Sequence, residues 1–181
     1  MSRSTYSKIF DVLTLLESCD QPIDIDEFVE LLRSNKLKSF EIFKRSPSTG
    51  LIQIDYCSEH SVKRLLSFMN RLELVKIPEK QKIEITAEGR YGLNAENFPT
   101  QLSTQLVKYL RRDFKIELSD INQAIKRIEK PEIPYIPVIL SYLSESREEP
   151  ISENWFRRIM YLLERCGVFK AVTRKAYMAQ K

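Results

Sequence analysis

Glycine is scarce in this chain, at 4 of 181 residues, and no tract is dominated by one or two residue types. That excludes collagen-like, linker-like and low-complexity architectures, and it makes disorder a poor starting point. Cysteine is scarce too. Cys19, Cys57 and Cys166 are odd in number and far apart. They supply neither a disulfide framework nor a metal knuckle, and they suit a reducing compartment. The single histidine, His60, has no Cys or His at metal-ligand spacing, so a surface or capping role fits it better than ligation. The opening MSRSTYSKIF lacks the apolar core of a signal peptide, and no apolar run is long enough to cross a membrane. The expectation is a soluble, cytoplasmic protein with no membrane partner.

The usual marks of catalysis are missing as well. There is no Gly-rich phosphate loop and no G-x-S-x-G elbow. Asp24, Asp26, Glu27 and Glu30 cluster, but at an expected helix start, where the macrodipole favours negative charge. Asp113-Phe114-Lys115 is the nearest approach to a nuclease acid-x-Lys strand, and no Pro-Asp precedes it at suitable spacing. The sequence therefore reads as a non-catalytic binding protein that needs neither cofactor nor metal.

What is present is an ordinary globular composition, 43% hydrophobic and 30% charged, with 29 Lys and Arg against 25 Asp and Glu. A net charge of +4 does not by itself argue for nucleic acid. Its placement matters more, because beyond residue 152 Arg157, Arg158, Arg165, Lys170, Arg174, Lys175 and Lys181 face only Glu153 and Glu164.

Apolar spacing predicts a helix from Ser4, as its cap, to about Asp20, through Ile9, Val12, Leu13 and Leu16. A short extended piece, Pro22-Ile23, leads to Asp24 or Asp26 as the cap of a second helix that buries Phe28, Val29 and Leu32. Residues 40–44 and 51–55 read as a hairpin around the turn residues 47–50. A third helix opens at Ser58-Glu59 and runs to about Glu73. Strand, polar turn and strand follow over residues 74–85, and Thr86 caps a further short helix. Residues 94–100, with Pro99, are the expected linker. The second half predicts helices over 102–112, 119–129, 134–145 and 152–166, with Ser119 and Ser152 as caps. A closing two-stranded piece is expected over 168–172 and 175–179, with Thr173-Arg174 at its turn.

The strongest signal is internal. Residues 58–77 align without a gap onto residues 152–171, at a constant offset of 94. Ser58, Glu59, Arg64, Arg71 and Lys76 match Ser152, Glu153, Arg158, Arg165 and Lys170, and the apolar positions coincide. Each copy is an amphipathic helix running straight into a strand. Its polar face carries Ser61, Lys63, Arg64, Ser67, Asn70 and Arg71 in the first copy, and Asn154, Arg157, Arg158, Tyr161 and Arg165 in the second. Arginine forks bond phosphates or guanine edges, Asn reads adenine, and hydroxyls reach phosphate. A solvated polar face is the ordinary alternative for one such helix, and duplication of the same basic positions favours a common role. Trp155 and Tyr161 have the chemistry to stack on a base, although an aromatic so placed more often packs against neighbouring protein.

Helix, LELVKI, polar turn and IEITAEGR together resemble the recognition helix and wing of the winged helix-turn-helix superfamily. Ile85-Thr86-Ala87-Glu88-Gly89-Arg90 stands where many members carry L-T-x-x-G-R after the wing, with Ile85 in place of Leu. The resemblance covers residues 5–93. It departs from the pattern at 36–57, longer than the usual turn between second and third helices, and in the second half, which lacks Thr-x-x-Gly and has one helix too many. It implies a mainly α fold with small β-hairpin wings, built as two winged-helix-like units over 1–94 and 101–181. It further implies a helix in the DNA major groove and a wing, here Lys80 and Lys82, on the backbone or minor groove. Arg174 and Lys175, at the second hairpin turn, complete the candidate contacts. The expected partner is double-stranded DNA, read by a transcriptional regulator or by the recognition module of a DNA-processing or restriction assembly. The alternative is a protein–protein adaptor, to which Phe43, Tyr56, Trp155 and Tyr177 would contribute, with a protein partner or a homodimer.

Overall fold

Ile9, Val12, Leu13 and Leu16 recur with the period of one helical face, and in the computed structural model of the protein they lie fully buried on α1 (Thr5–Glu17). The structure describes residues 5–46, 50–78, 81–126, 135–144, 150–173 and 176–179. Among them are eight α-helices and three small antiparallel sheets, so helix dominates. No helix of the described residues is long and apolar enough to cross a membrane. The chain divides into two compact units, Met1–Phe98 and Pro99–Lys181.

In the first unit β1 (Ile23–Asp24) runs directly into α2 (Ile25–Ser34). Of the two candidate caps the structure selects Asp24. Its backbone is extended, and its carboxylate accepts the backbone N–H groups of Asp26 at 2.8 Å and Glu27 at 3.4 Å, which leaves Asp26 in the first turn. Phe28, Val29 and Leu32 are buried as their spacing predicts. A short 3-10 turn, Lys38–Phe40, precedes a hairpin of β2 (Glu41–Arg45) and β3 (Ile52–Tyr56), with Phe43 opposite Ile54. Turn residues 47–49 lie outside the described residues. The Ser58 hydroxyl accepts the Ser61 N–H at 3.3 Å and so caps α3 (Glu59–Arg71), which buries Val62, Leu66 and Met69.

Then come β4 (Val75–Lys76), β5 (Lys82–Ile85) and α4 (Ala87–Tyr91). β5 is the middle strand of a three-stranded sheet, with Ile23 of β1 opposite Ile83 and Val75 of β4 opposite Ile85. The sheet is short, but Leu74, Val75, Ile83 and Ile85 close its inner face against the helices. The Thr86 hydroxyl joins the two halves of this arrangement. It accepts the Gly89 N–H at 3.0 Å and donates to the Glu73 carbonyl at 2.6 Å. Gly89 is required by close approach: a Cβ there would lie 2.1 Å from the Leu74 carbonyl oxygen. Arg90 next to it pairs through Nε with Glu17 of α1 at 3.0 Å. The Thr-x-x-Gly-Arg phrase is therefore a clasp between sheet, α4 and α1.

α5 (Phe98–Phe114) starts on the last residue of the first unit, and the second unit holds the rest of it with α6 (Leu118–Lys126), α7 (Tyr135–Ser144), α8 (Glu153–Arg165), β6 (Phe169–Thr173) and β7 (Ala176–Ala179). α5 begins inside the expected linker. Phe98 is 2% exposed and meets Tyr6 and Phe10 edge-on at centroid distances of 4.8 and 5.0 Å, so burial of this ring fixes the chain where composition suggested a loop. Pro99 is tolerated because the first helical turn needs no N–H there. Ser119 does not cap α6. It lies inside the helix, while the Glu117 N–H donates to Asp120 Oδ2 at 2.9 Å and the Glu117 carbonyl accepts the Asp120 and Ile121 N–H groups. Ser152 occupies the cap position of α8, but its hydroxyl makes no capping bond. Leu106, Leu110, Ile121, Ile139, Phe156, Ile159 and Leu163 form the core of this unit. Residues 127–129 of the expected second helix and 174–175 of the expected turn lie outside the described residues.

Candidate nucleic-acid interface

The sequence repeat is repeated in the backbone, bond for bond. At the end of α3 the N–H groups of Leu72, Glu73 and Leu74 reach the carbonyls of Phe68, Asn70 and Met69 at 3.0, 3.0 and 3.1 Å. At the end of α8 those of Cys166, Gly167 and Val168 reach Leu162, Glu164 and Leu163 at 3.0, 2.9 and 2.9 Å. Glu73 and Gly167 occupy the same step and both take positive φ, 58° and 78°. This is the left-handed residue that ends a helix and turns the chain into the following strand. Each unit thus presents a helix of the same length, 13 residues, held at the same joint.

On these helices the paired basic positions divide into two kinds. Lys63 is engaged, with Nζ 2.6 Å from Asp26 and 2.7 Å from Glu59, both exposed carboxylates. The hydrogen bonds it donates to Asp26 first and Glu59 second push its pKa above the ordinary lysine value. Arg157 stands at the equivalent position and pairs with Glu153, the counterpart of Glu59. The i, i+4 acid–base pair is therefore duplicated, and in both copies it ties up the charge nearest the helix start. Arg64 and Arg158, one residue on, are exposed and make no ion pair with another described residue. Ser67 and Tyr161 follow at i+3, and Arg71 and Arg165 at i+7, all exposed. Each helix thus shows solvent a stripe of arginine, hydroxyl and arginine on one face.

The remaining expected contacts separate from this stripe. Ser61 is exposed beside its cap, with its Oγ 3.0 Å from that of Ser58. Asn70 is exposed, yet its Oδ1 accepts the Ile77 N–H at 3.3 Å, so it braces the joint between α3 and β4. Asn154 is exposed in the first turn of α8, and Lys82 is exposed at the start of β5. Lys80, Arg174 and Lys175 lie outside the described residues. Trp155 is not offered to a ligand. Its ring stacks on Phe114 at 3.9 Å and meets Tyr109 edge-on at 5.7 Å, both on α5 of its own unit. Asp113 pairs with Arg112 at 2.7 Å, and Phe114 belongs to the same aromatic cluster.

His60 was missed by the sequence reading of this face. It is exposed one turn before Arg64, and counting i, i+4, i+7 from it places it on the face of Arg64 and Ser67. A cleft of about 220 Å³ lies beside the engaged lysine, lined by Ile25, Asp26, Lys63, Leu66, Ile77 and Gln81. Among the described residues no group of three or more His, Cys, Asp or Glu side chains is placed to hold a metal ion. No protein-family model, curated protein or solved structure matches the chain.

Proposed function

We propose that the chain is a non-catalytic double-stranded DNA-binding protein built from two winged-helix-like units, acting as a transcriptional regulator or as the recognition module of a larger DNA-processing assembly. The observation that carries this reading is the duplicated stripe, Arg64, Ser67 and Arg71 on α3 and Arg158, Tyr161 and Arg165 on α8, presented from the same helix-to-strand joint. With the β2–β3 hairpin set aside as an insertion between α2 and α3, the order of elements from α1 to β5 supports the winged-helix reading: helix, strand, helix, helix, strand, strand, with the first strand on the edge of the last. The second unit supports it more weakly, since α7 is an additional helix and no strand among its described residues corresponds to β1.

Mechanistically, two guanidinium groups seven residues apart lie about 10 Å apart along the helix axis. That spacing lets one stay on the phosphate backbone while the other reaches the groove floor, with the hydroxyl between them. Phosphate neutralisation would then provide most of the affinity, and base contacts the selectivity. Lys63 and Arg157, held by their own carboxylates, contribute little.

The test is a fluorescence-anisotropy titration of a random-sequence duplex at several salt concentrations. Arg64→Ala/Arg71→Ala and Arg158→Ala/Arg165→Ala should each weaken binding and lower the slope of log K against log salt by about 1, for the one phosphate contact that each pair loses. Lys63→Ala/Arg157→Ala, which removes the same formal charge, should change it far less. Absence of salt-dependent binding at low salt overturns the proposal.

A further inference from the structure

Lys8, in the first turn of α1, is half-buried, and its ammonium has an unusual neighbour. Nζ donates to Cys57 Sγ at 3.1 Å and stands 5.5 Å over the centre of the Phe40 ring. Cys57 joins β3 to Ser58, the cap of α3, and its own N–H donates to the Phe40 carbonyl at 2.9 Å. Sulfur, ring and nitrogen are therefore held together by backbone and by burial of Phe40, which is 3% exposed. A thiol is a weak acceptor, and a lysine drawn out of water ordinarily finds a carboxylate or a carbonyl. Lys8 makes no ion pair with another described residue, and Cys57 is its one polar side-chain partner among them. The nitrogen and the sulfur lie at the separation of reactants poised to form a bond, roughly 3–3.5 Å. Cys57 is 8% exposed, so it is not sealed from a reagent the size of water.

We propose that Cys57 and Lys8 are a reversible oxidation site, at which a peroxide drives formation of a sulfenamide bond between Sγ and Nζ. The Cys57 sulfur, as thiolate, attacks one peroxide oxygen. An S–O bond forms, the O–O bond breaks, and the departing hydroxide takes a proton from the Lys8 ammonium and leaves as water. The Lys8 amine then attacks the sulfur of the sulfenic acid, as backbone nitrogen does in known sulfenamides. The S–N bond forms, the S–O bond breaks, and hydroxide leaves with one amine proton as a second water. Thiol, amine and one hydrogen peroxide thus give sulfenamide and two waters, with sulfur oxidised by two electrons and the peroxide reduced. The product is neutral, so the bridge removes a half-buried charge that had only a weak acceptor. A dithiol reverses it by attack on sulfur, which releases the amine and leaves the reagent as a disulfide. While it lasts, the bridge fastens α1 to the residue leading into α3, across 49 positions of the chain. The other two cysteines lack this arrangement. Cys19 donates to the Leu15 carbonyl at 3.1 Å, and burial pushes the thiols of both Cys19 and Cys166 above their ordinary value.

Mass spectrometry of the full chain after a modest excess of hydrogen peroxide tests this independently of DNA. The intact protein should lose two hydrogens, and dithiothreitol should restore them. Tryptic digestion under non-reducing conditions should give a peptide pair joined through Lys8 and Cys57, lighter than the sum of its parts by two hydrogens and uncut after Lys8. The same treatment in concentrated urea should not give that pair, because only the fold brings the two groups together. Lys8→Arg keeps the positive charge without the amine. It should lose the bridge and leave Cys57 as a sulfenic acid that dimedone labels, with far-UV circular dichroism unchanged. Cys57→Ser should lose both the bridge and the label at that position. Recovery of unmodified Cys57 when Cys19 or Cys166 is already oxidised would overturn the assignment. So would a Cys57 sulfenic acid in the wild type that never joins Lys8, or a bridge that forms equally well in urea.

Discussion

Replacing Gly89 by alanine sets helix propensity against packing, and the two predict opposite signs. Gly89 lies within α4, and alanine outranks glycine in a helix by about 1 kcal/mol, so propensity alone makes the variant more stable. The added carbon, however, would stand 2.1 Å from the Leu74 carbonyl oxygen, 2.8 Å from Ile85 Cγ1 and 3.2 Å from Leu13 Cδ2. The nearest atom is backbone, so no side-chain rotation relieves the contact. α4 must move away from β4, which stretches the Thr86 N–H bond to Leu74, now 3.2 Å, and the Thr86 hydroxyl bond to Glu73, now 2.6 Å. Overpacking costs about 1–3 kcal/mol, and each bond lost about 1 more. After the gain in propensity, the net is a destabilisation of about 2–4 kcal/mol, a large share of the stability of a small domain. Urea unfolding followed by far-UV circular dichroism measures it, with an expected fall in midpoint on the order of 1 M. Trp155 lies in the other unit, so its fluorescence follows that unit and serves as an internal reference. A variant as stable as the wild type, or more so, would refute the close-approach account.

The two left-handed helix ends predict a reciprocal pair of effects. Gly167→Ala meets no atom within 4 Å, so it should lose only the backbone preference, about 1 kcal/mol, while Glu73→Gly should be neutral or stabilising by up to about 1 kcal/mol, both read from denaturation midpoints. Cys166 gives a pH prediction. Burial pushes its thiol from an ordinary 9.0 up to about 12, against a smaller opposing effect of Arg165. The folded state therefore holds this proton more tightly than the unfolded chain, so the stabilisation is complete below about pH 9 and is lost as pH rises towards 12. Cys166→Ala should show a smaller alkaline drop in Tm than the wild type; parallel drops would refute the burial argument.

Much of the helical framework was legible because it depends on periodicity. Ile9, Val12, Leu13 and Leu16, like Phe28, Val29 and Leu32, are buried as their spacing requires. The hairpin was legible from alternation of Ile52 and Ile54 with polar residues around turn chemistry. Failures came where a distant contact outweighed a local preference. Phe98 extends α5 into the expected linker because its ring is buried against Tyr6 and Phe10. Ser119 is a good cap by composition, but the reciprocal bonds of Glu117 and Asp120 start α6 before it. For the candidate site, residue types and spacing were readable, while the state of each charge was not. Lys63 and Arg64 are neighbours of equal charge, and only the fold brings Asp26 of α2 to Lys63.

The amino-acid sequence by itself determined which segments become helices, where apolar stripes run, and that one helix-and-strand unit occurs twice, because these follow from short-range periodicity and from direct comparison of one segment with another. Tertiary structure decided which polar residues are left for a partner and which are consumed internally. It gave Trp155 to Phe114 and Tyr109, Asn70 to the Ile77 N–H, and Lys63 to two carboxylates, while leaving the β2–β3 face uncovered. Those outcomes depend on distances between residues far apart in the chain, which local pattern does not encode.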